Sequence, residues 1–262
     1  MATAGDGRTP LLEMRGISKR FGAVQALTEA GLKVYPGELV ALVGDNGAGK
    51  STLIKVIAGV GPADSGEIRW KGTPVHIGKP SDAVALGIAT VYQDLALCDN
   101  LDVVANLFLG RERTRTAVLD EIGMEKQSRE LLASLSVKMP DVRSHVAGLS
   151  GGQRQSVAIA RSLLGEPEVV LLDEPTAALG VAQTAEVLDL IERLKQRGLG
   201  VILISHNLAD VKAVADRVAV LRLGRNAGEF DPEKASQEQI VQAITGADDN
   251  AVSRREKRQE GP

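Results

Sequence analysis

The sequence predicts an α/β fold with buried parallel strands, and three observations predict it. Gly44, Asp45, Asn46, Gly47, Ala48, Gly49, Lys50, Ser51 and Thr52 fit the phosphate-loop pattern G-x-x-x-x-G-K-[ST]. That loop lies between an apolar run, 38–43, and a helical stretch, 50–58, with Gly59 as a helix stop. Further apolar runs at 168–174 and 200–205 have the length and continuity of strands buried on both faces.

The loop dictates its own chemistry. Glycines let the backbone curl so that successive N–H groups point inward at an anion. The helix that starts there adds unpaired N–H groups and the positive end of its dipole. Lys50 reaches β- and γ-phosphates in such a loop, and the Ser51 hydroxyl ligates Mg²⁺.

Composition narrows the class. Apolar residues at 44% and charged residues at 25% describe an ordinary globular chain, and 262 residues allow one or two domains. Aromatics at 2% force an aliphatic core, and a net charge of −3 gives no argument for nucleic acid. Cys98 is the one cysteine, so no intrachain disulfide forms, which suits a reducing compartment. Residues 1–10 lack the apolar centre of a signal peptide. No run approaches the ~20 apolar residues of a membrane helix, so any membrane role works through a partner.

Taken in order, 1–9 reads as a polar tail, and 11–21 and 25–34 as strands, with Pro36-Gly37 turning the chain into the loop strand. Phe21 ends the first strand; composition alone favours packing it in the core over stacking it on a flat ligand. A hairpin is expected over 67–71 and 74–77, a helix over 81–86, and a strand over 88–92 that delivers Gln93. Ligands of open α/β sheets sit outside the carboxyl ends of the strands, so Gln93 is a candidate site residue. Residues 94–146 carry helical patterning and no convincing strand, with 111–115 a solvated loop. Leu149, Ser150, Gly151, Gly152 and Gln153 precede a helix over 154–164, either a second anion cradle or a helix cap at Ser150.

The run 168–174 ends in Asp173 and Glu174, and packing gives no reason to end a core strand in two carboxylates. Beside a phosphate loop, Asp173 holds Mg²⁺ and Glu174 acts as general base on the attacking water. A helix over 184–196 and a strand over 200–205 follow, the latter delivering His206 towards a γ-phosphate. A strand over 217–222 and a helix over 237–244 precede a polar tail, 247–262, whose basic stretch at 254–258 reads as solvated.

In this order the motifs resemble those of the nucleotide-binding subunit of an ATP-binding cassette (ABC) transporter, over residues 11–246. Walker A is Gly44–Thr52, the Q-loop Gln93, the signature Leu149–Gln153, Walker B Val169–Asp173 followed by Glu174, and the switch histidine His206. The resemblance implies a P-loop NTPase, RecA-like core with an antiparallel β subdomain and an α-helical subdomain inserted at about 94–148. It also implies ATP and Mg²⁺ as cofactors, with the metal on Ser51, Gln93 and Asp173, and two ATP molecules held between the subunits of a head-to-tail dimer. Ser150, Gly151, Gly152 and Gln153 then bind the γ-phosphate of the ATP held by the other subunit. Phe21 takes the position of the family's adenine-stacking aromatic. Lys50 and Glu174 carry the chemistry, while Gln93 and His206 position phosphate, metal and water.

Residues 44–47, 91–97, 99–106 and 176–180 most resemble subunits of bacterial carbohydrate importers. That branch implies integral membrane permease partners, indirect contact with a substrate-binding protein, and a peripheral place on the cytoplasmic face of the membrane. One cassette rather than two in tandem implies a homodimer. The usual D-loop aspartate is replaced by Gly180. The rival class, a soluble ABC ATPase of ribosomes or DNA, typically has two cassettes, a long coiled-coil insertion or a basic arm. A non-catalytic module predicts loss of Lys50, Glu174 or His206, and all three stand.

Overall fold

The computed structural model describes residues 8–247; the tail readings for 1–7 and 248–262 lie outside the described residues. The chain opens with an antiparallel hairpin, β1 (Leu12–Phe21) and β2 (Val24–Val34), and then enters β3 (Leu39–Val43), buried throughout. The phosphate loop leads into α1 (Lys50–Ile57). A second hairpin, β4 (Ser65–Trp70) and β5 (Thr73–Val75), is followed by α2 (Pro80–Ala85) and β6 (Ile88–Val91). Next come α3 (Val103–Phe108), a small hairpin of β7 (Thr114–Arg115) and β8 (Val118–Leu119), α4 (Glu121–Ser134) and α5 (Gly151–Leu163). The rest alternates β9 (Val169–Asp173), α6 (Val181–Gln196), β10 (Gly200–Ile204) and α7 (Leu208–Val214). It closes with β11 (Arg217–Arg222), β12 (Arg225–Phe230) and α8 (Gln237–Thr245).

Six strands form the central sheet in the order β12-β11-β3-β10-β9-β6, parallel except for β12 at the edge. The continuous apolar runs divide by alternation, as pleating demands. Val40, Leu42, Leu171, Ile202 and Ile204 face a core that contains Leu53, Ile54 and Ile57 of α1 and Met14, Leu27 and Ile68 of the antiparallel sheet β2-β1-β4-β5. Leu39, Val170, Leu172, Val201 and Leu203 face the opposite core, with Val157 and Ala160 of α5 and Val187 and Ile191 of α6. At ~25 cal/mol per Å² of apolar area removed from water, these two aliphatic layers are the main stabilising term.

Three readings are corrected, and two elements, β12 and α7, had no reading. The segment 94–146, expected to hold no strand, contains the β7–β8 hairpin, whose first strand overlaps the end of the expected 111–115 loop. Its turn residues Thr116 and Ala117 both have positive φ (51° and 68°) without the Asn or Gly that advertises such a turn. The edge strand β12 is polar and half exposed, and α7 is short, so neither left a periodicity. Helix α6 starts at Val181, with Gly180 at its N-cap, and α5 starts at Gly151 rather than 154.

Candidate functional site

The loop glycines are required by space as well as by φ. Gly49 (φ 103°) caps α1, and a Cβ there would lie 2.7 Å from the Ala26 carbonyl oxygen and 2.9 Å from Leu27 Cδ2. A Cβ on Gly44 would collide with the Leu221 carbonyl oxygen. The loop is thus held tightly against β2 and β11 at positions where a side chain would clash, in left-handed conformations that glycine adopts freely. Lys50 folds back beneath the loop, its Nζ donating to the carbonyls of Gly44 (2.7 Å) and Asp45 (3.0 Å). Burial pulls the ammonium below its ordinary pKa, opposed by Glu174, Asp45 and Asp173.

Register brings the other groups to the same edge. Ile204 of β10 pairs with Asp173 of β9 on one side and with Leu42 of β3 on the other. The three strands therefore end together, and Gly44, Glu174 and His206 follow those ends. Asp173 is half-buried; burial, then the neighbouring Glu174, push its carboxyl above the ordinary range, with Lys50 and Lys55 pulling the other way. Glu174 holds a left-handed backbone (φ 50°), and its N–H donates to the Ile204 carbonyl (3.0 Å). This local strain aims the side chain across the strand ends, where Oε2 lies 2.8 Å from His206 Nδ1. The Glu174 side chain is 15% exposed and that of His206 71%, so the histidine stands on the open side.

Gln93 is exposed just past β6, whose Val91 pairs with Leu172, one residue before Asp173. Sequence reasoning missed what holds the segment after it. Arg161 of α5 donates to the carbonyls of Leu95 (2.6 Å) and Ala96 (2.8 Å), so the signature helix is tied to the chain that follows Gln93. Arg161 is only half-buried in a helix of mixed polarity, and nothing in the sequence pairs it with residues 65 and 66 positions away.

Ser150 caps α5 in a capping box: its Oγ accepts from Gln153 N (3.3 Å), and Gln153 Oε1 accepts from Ser150 N (3.0 Å). The cap reading of this segment holds, and Gly151 and Gly152 form the first turn. A Cβ on Gly152 would press on Gln183 Cβ of α6 at 3.1 Å. Helices α5 and α1 pack on opposite faces of the sheet, so the chain's own fold separates this segment from its phosphate loop. Phe21 is 52% exposed, which overturns core packing, and Lys19 Nζ lies 5.6 Å from its ring centroid.

These features recur in known proteins. A family model described as ABC transporter matches residues 27–177. The chain is 45% identical over 248 residues to the xylose/arabinose import ATP-binding protein XylG of Sulfolobus acidocaldarius, covering 95% of this chain and 99% of that protein. It is 45% identical to the fructose import ATP-binding protein FrcA of Rhizobium meliloti, covering 91% and 95%. With the ribose import ATP-binding protein RbsA 1 of Rubrobacter xylanophilus it shares 44% identity over 90% of this chain but 47% of that protein. Among solved structures, the ADP conformation of MJ1267, an ATP-binding cassette of an ABC transporter, superposes with a TM-score of 0.78 at 26% identity, covering 90% of this chain and 95% of that one. A phosphate loop, two carboxylates and a histidine gathered at one sheet edge, in a chain so closely matched along its length, place it in the ABC transporter family.

Proposed function

We propose that the chain is the ATP-hydrolysing subunit of a membrane importer for a monosaccharide. The observation that carries the ATPase reading is the meeting of Lys50, Asp173, Glu174 and His206 at the ends of β3, β9 and β10. The transported class rests on relatives named for import of xylose/arabinose, fructose and ribose.

In this reading the N–H groups of Gly44–Thr52 and the Lys50 ammonium bind the phosphates and hold the charge of the transferring phosphoryl group. Phe21 stacks on adenine. Glu174 takes the proton of the attacking water at its carboxylate, while His206 and Gln93 orient that water and the γ-phosphate. Hard oxygen donors at Ser51, Asp173 and Gln93 suit Mg²⁺, and the raised carboxyl of Asp173 is what a cation would relieve. When bound, Mg²⁺ supplies charge neutralisation at the β- and γ-phosphates.

Ser150, Gly151, Gly152 and Gln153 serve the ATP of a second copy, in a head-to-tail homodimer. Residues 11–246 act as one cassette, with about 94–148 its helical part. Among the described residues no helix is long and apolar enough to cross a membrane. The work therefore reaches the solute through integral permease subunits, with the chain on the cytoplasmic face and a substrate-binding protein delivering the sugar. A tagged pull-down from detergent-solubilised membranes tests this. An integral permease is expected; ribosomal or DNA-repair proteins without a membrane protein overturn it.

A further inference from the structure

Asp210 is a buried carboxylate, 7% exposed, on the short helix α7. Burying a charge is costly, and stability alone does not favour it over an apolar residue of similar size. Its partners explain the placement. Oδ2 accepts from Thr176 Oγ1 (2.7 Å) and Oδ1 accepts from Asn207 Nδ2 (2.9 Å). Thr176 stands two residues after Glu174, and Asn207 one residue after His206.

One carboxylate therefore joins the two loops that carry Glu174 and His206. Each loop is set from within as well. Asn207 N donates to Ser205 Oγ (3.0 Å), and Asn207 Oδ1 accepts from Ala209 N (3.0 Å), which fixes the amide so that its NH₂ faces Asp210. On the other side, Ala177 N donates to the Glu174 carbonyl (3.1 Å) and Leu179 N to that of Thr176 (3.3 Å). With Glu174 and Ala178 both at positive φ, this segment is a strained turn that needs a fixed anchor.

The geometry points to Asp210 and Thr176 as positioning residues that hold His206 against Glu174. Neither touches the reacting atoms. They set the distance between two groups that leave separate strands, and a small misplacement there is felt in the chemical step rather than in nucleotide binding. The inference rests on the roles given above to Glu174 and His206.

The test uses the full chain and Thr176→Val, which removes the hydroxyl with little change of shape, beside Thr176→Ser, which keeps it. Thr176→Val is expected to lower kcat for ATP about tenfold, the scale of one missing hydrogen bond to a charged group, with KM within about twofold. Thr176→Ser restores the rate. The chain has three histidines, so the His206 imidazole resonance is assignable by its loss in His206→Gln. Thr176→Val should move that resonance in the direction that Glu174→Gln moves it. An unmoved resonance with unchanged kcat, or a fall in melting temperature without either effect, overturns the inference. If Glu174→Gln itself hydrolyses ATP at the parent rate, the underlying site reading fails instead. Asp210→Asn, which keeps one acceptor, should fall between the parent and Thr176→Val in both readouts; parent-like values in both count against the anchor.

Discussion

His206 Nδ1 lies 2.8 Å from Glu174 Oε2, although the two side chains leave different strands of the sheet. The contact depends on the left-handed turn at Glu174 and on the shared ending of β9 and β10. Glu174→Gln keeps the shape and leaves an amide oxygen for the histidine to meet. In the proposed mechanism it removes the general base. Hydrolysis should fall by about 10²–10⁴, the range of general-base contributions, while ATP binding persists. Size exclusion in saturating Mg-ATP should then show a trapped dimer. A persistent monomer would count against two copies sharing the nucleotide.

Lys50 is the cation at the centre of an acidic surround made by Asp45, Asp173 and Glu174. Its partners are the carbonyls of Gly44 and Asp45, and in the proposed mechanism it binds the nucleotide's phosphates. Lys50→Ala should abolish hydrolysis and weaken ATP binding about 10–100-fold, the scale of removing one charge-assisted hydrogen bond from a site that keeps its N–H groups. Equilibrium binding of a fluorescent ATP analogue measures this. Activity near that of the parent would remove the loop from the site.

Asp173 offers a prediction about stability and pH together. Its carboxyl is raised in the folded chain, by burial first and by Glu174 second. A group raised on folding favours the fold while protonated and disfavours it as pH climbs through the folded value. At neutral pH without metal, Asp173→Asn should therefore melt a few degrees above the parent. The gap should close as pH falls below the ordinary carboxylate range of about 4, where both states hold the proton. The same variant should lose Mg²⁺-dependent hydrolysis. Thermal melts between neutral and acid pH, with and without Mg-ATP, check the sign.

Legibility in the sequence followed physical cause. The strands β3, β9 and β10 were readable because burial on both faces demands unbroken apolar runs, and the phosphate loop because its glycines face clashes with Ala26, Leu27 and Leu221. Gln93 and His206 were placed by where their strands end. The β7–β8 turn was not readable, since Thr116 and Ala117 adopt φ values that their residue types do not signal. Nor were the ties made by Arg161 to Leu95 and Ala96, or by Asp210 to Thr176, which join residues 34–66 positions apart and obey no local period.

Phe21 sits at the end of β1 with 52% of its surface open, in a chain whose other apolar residues mostly reach the core. It pairs with Val24 across the hairpin, and Lys19 Nζ stands 5.6 Å from its ring centroid, itself held by Asp64 at 2.8 Å. An exposed ring with one cation nearby adds little to folding, since the area that it hides from water is small. Stacking on adenine would cover that ring. Phe21→Ala should therefore raise KM for ATP about 5–30-fold, the effect of removing ~1–2 kcal/mol of aromatic stacking, with kcat nearly kept. Phe21→Tyr should stay within about twofold of the parent in both, because it keeps the ring face. Steady-state ATPase assays and a thermal melt separate the two accounts. A large fall in melting temperature with an unchanged KM would make Phe21 a structural residue of the hairpin and leave adenine without its stacking partner.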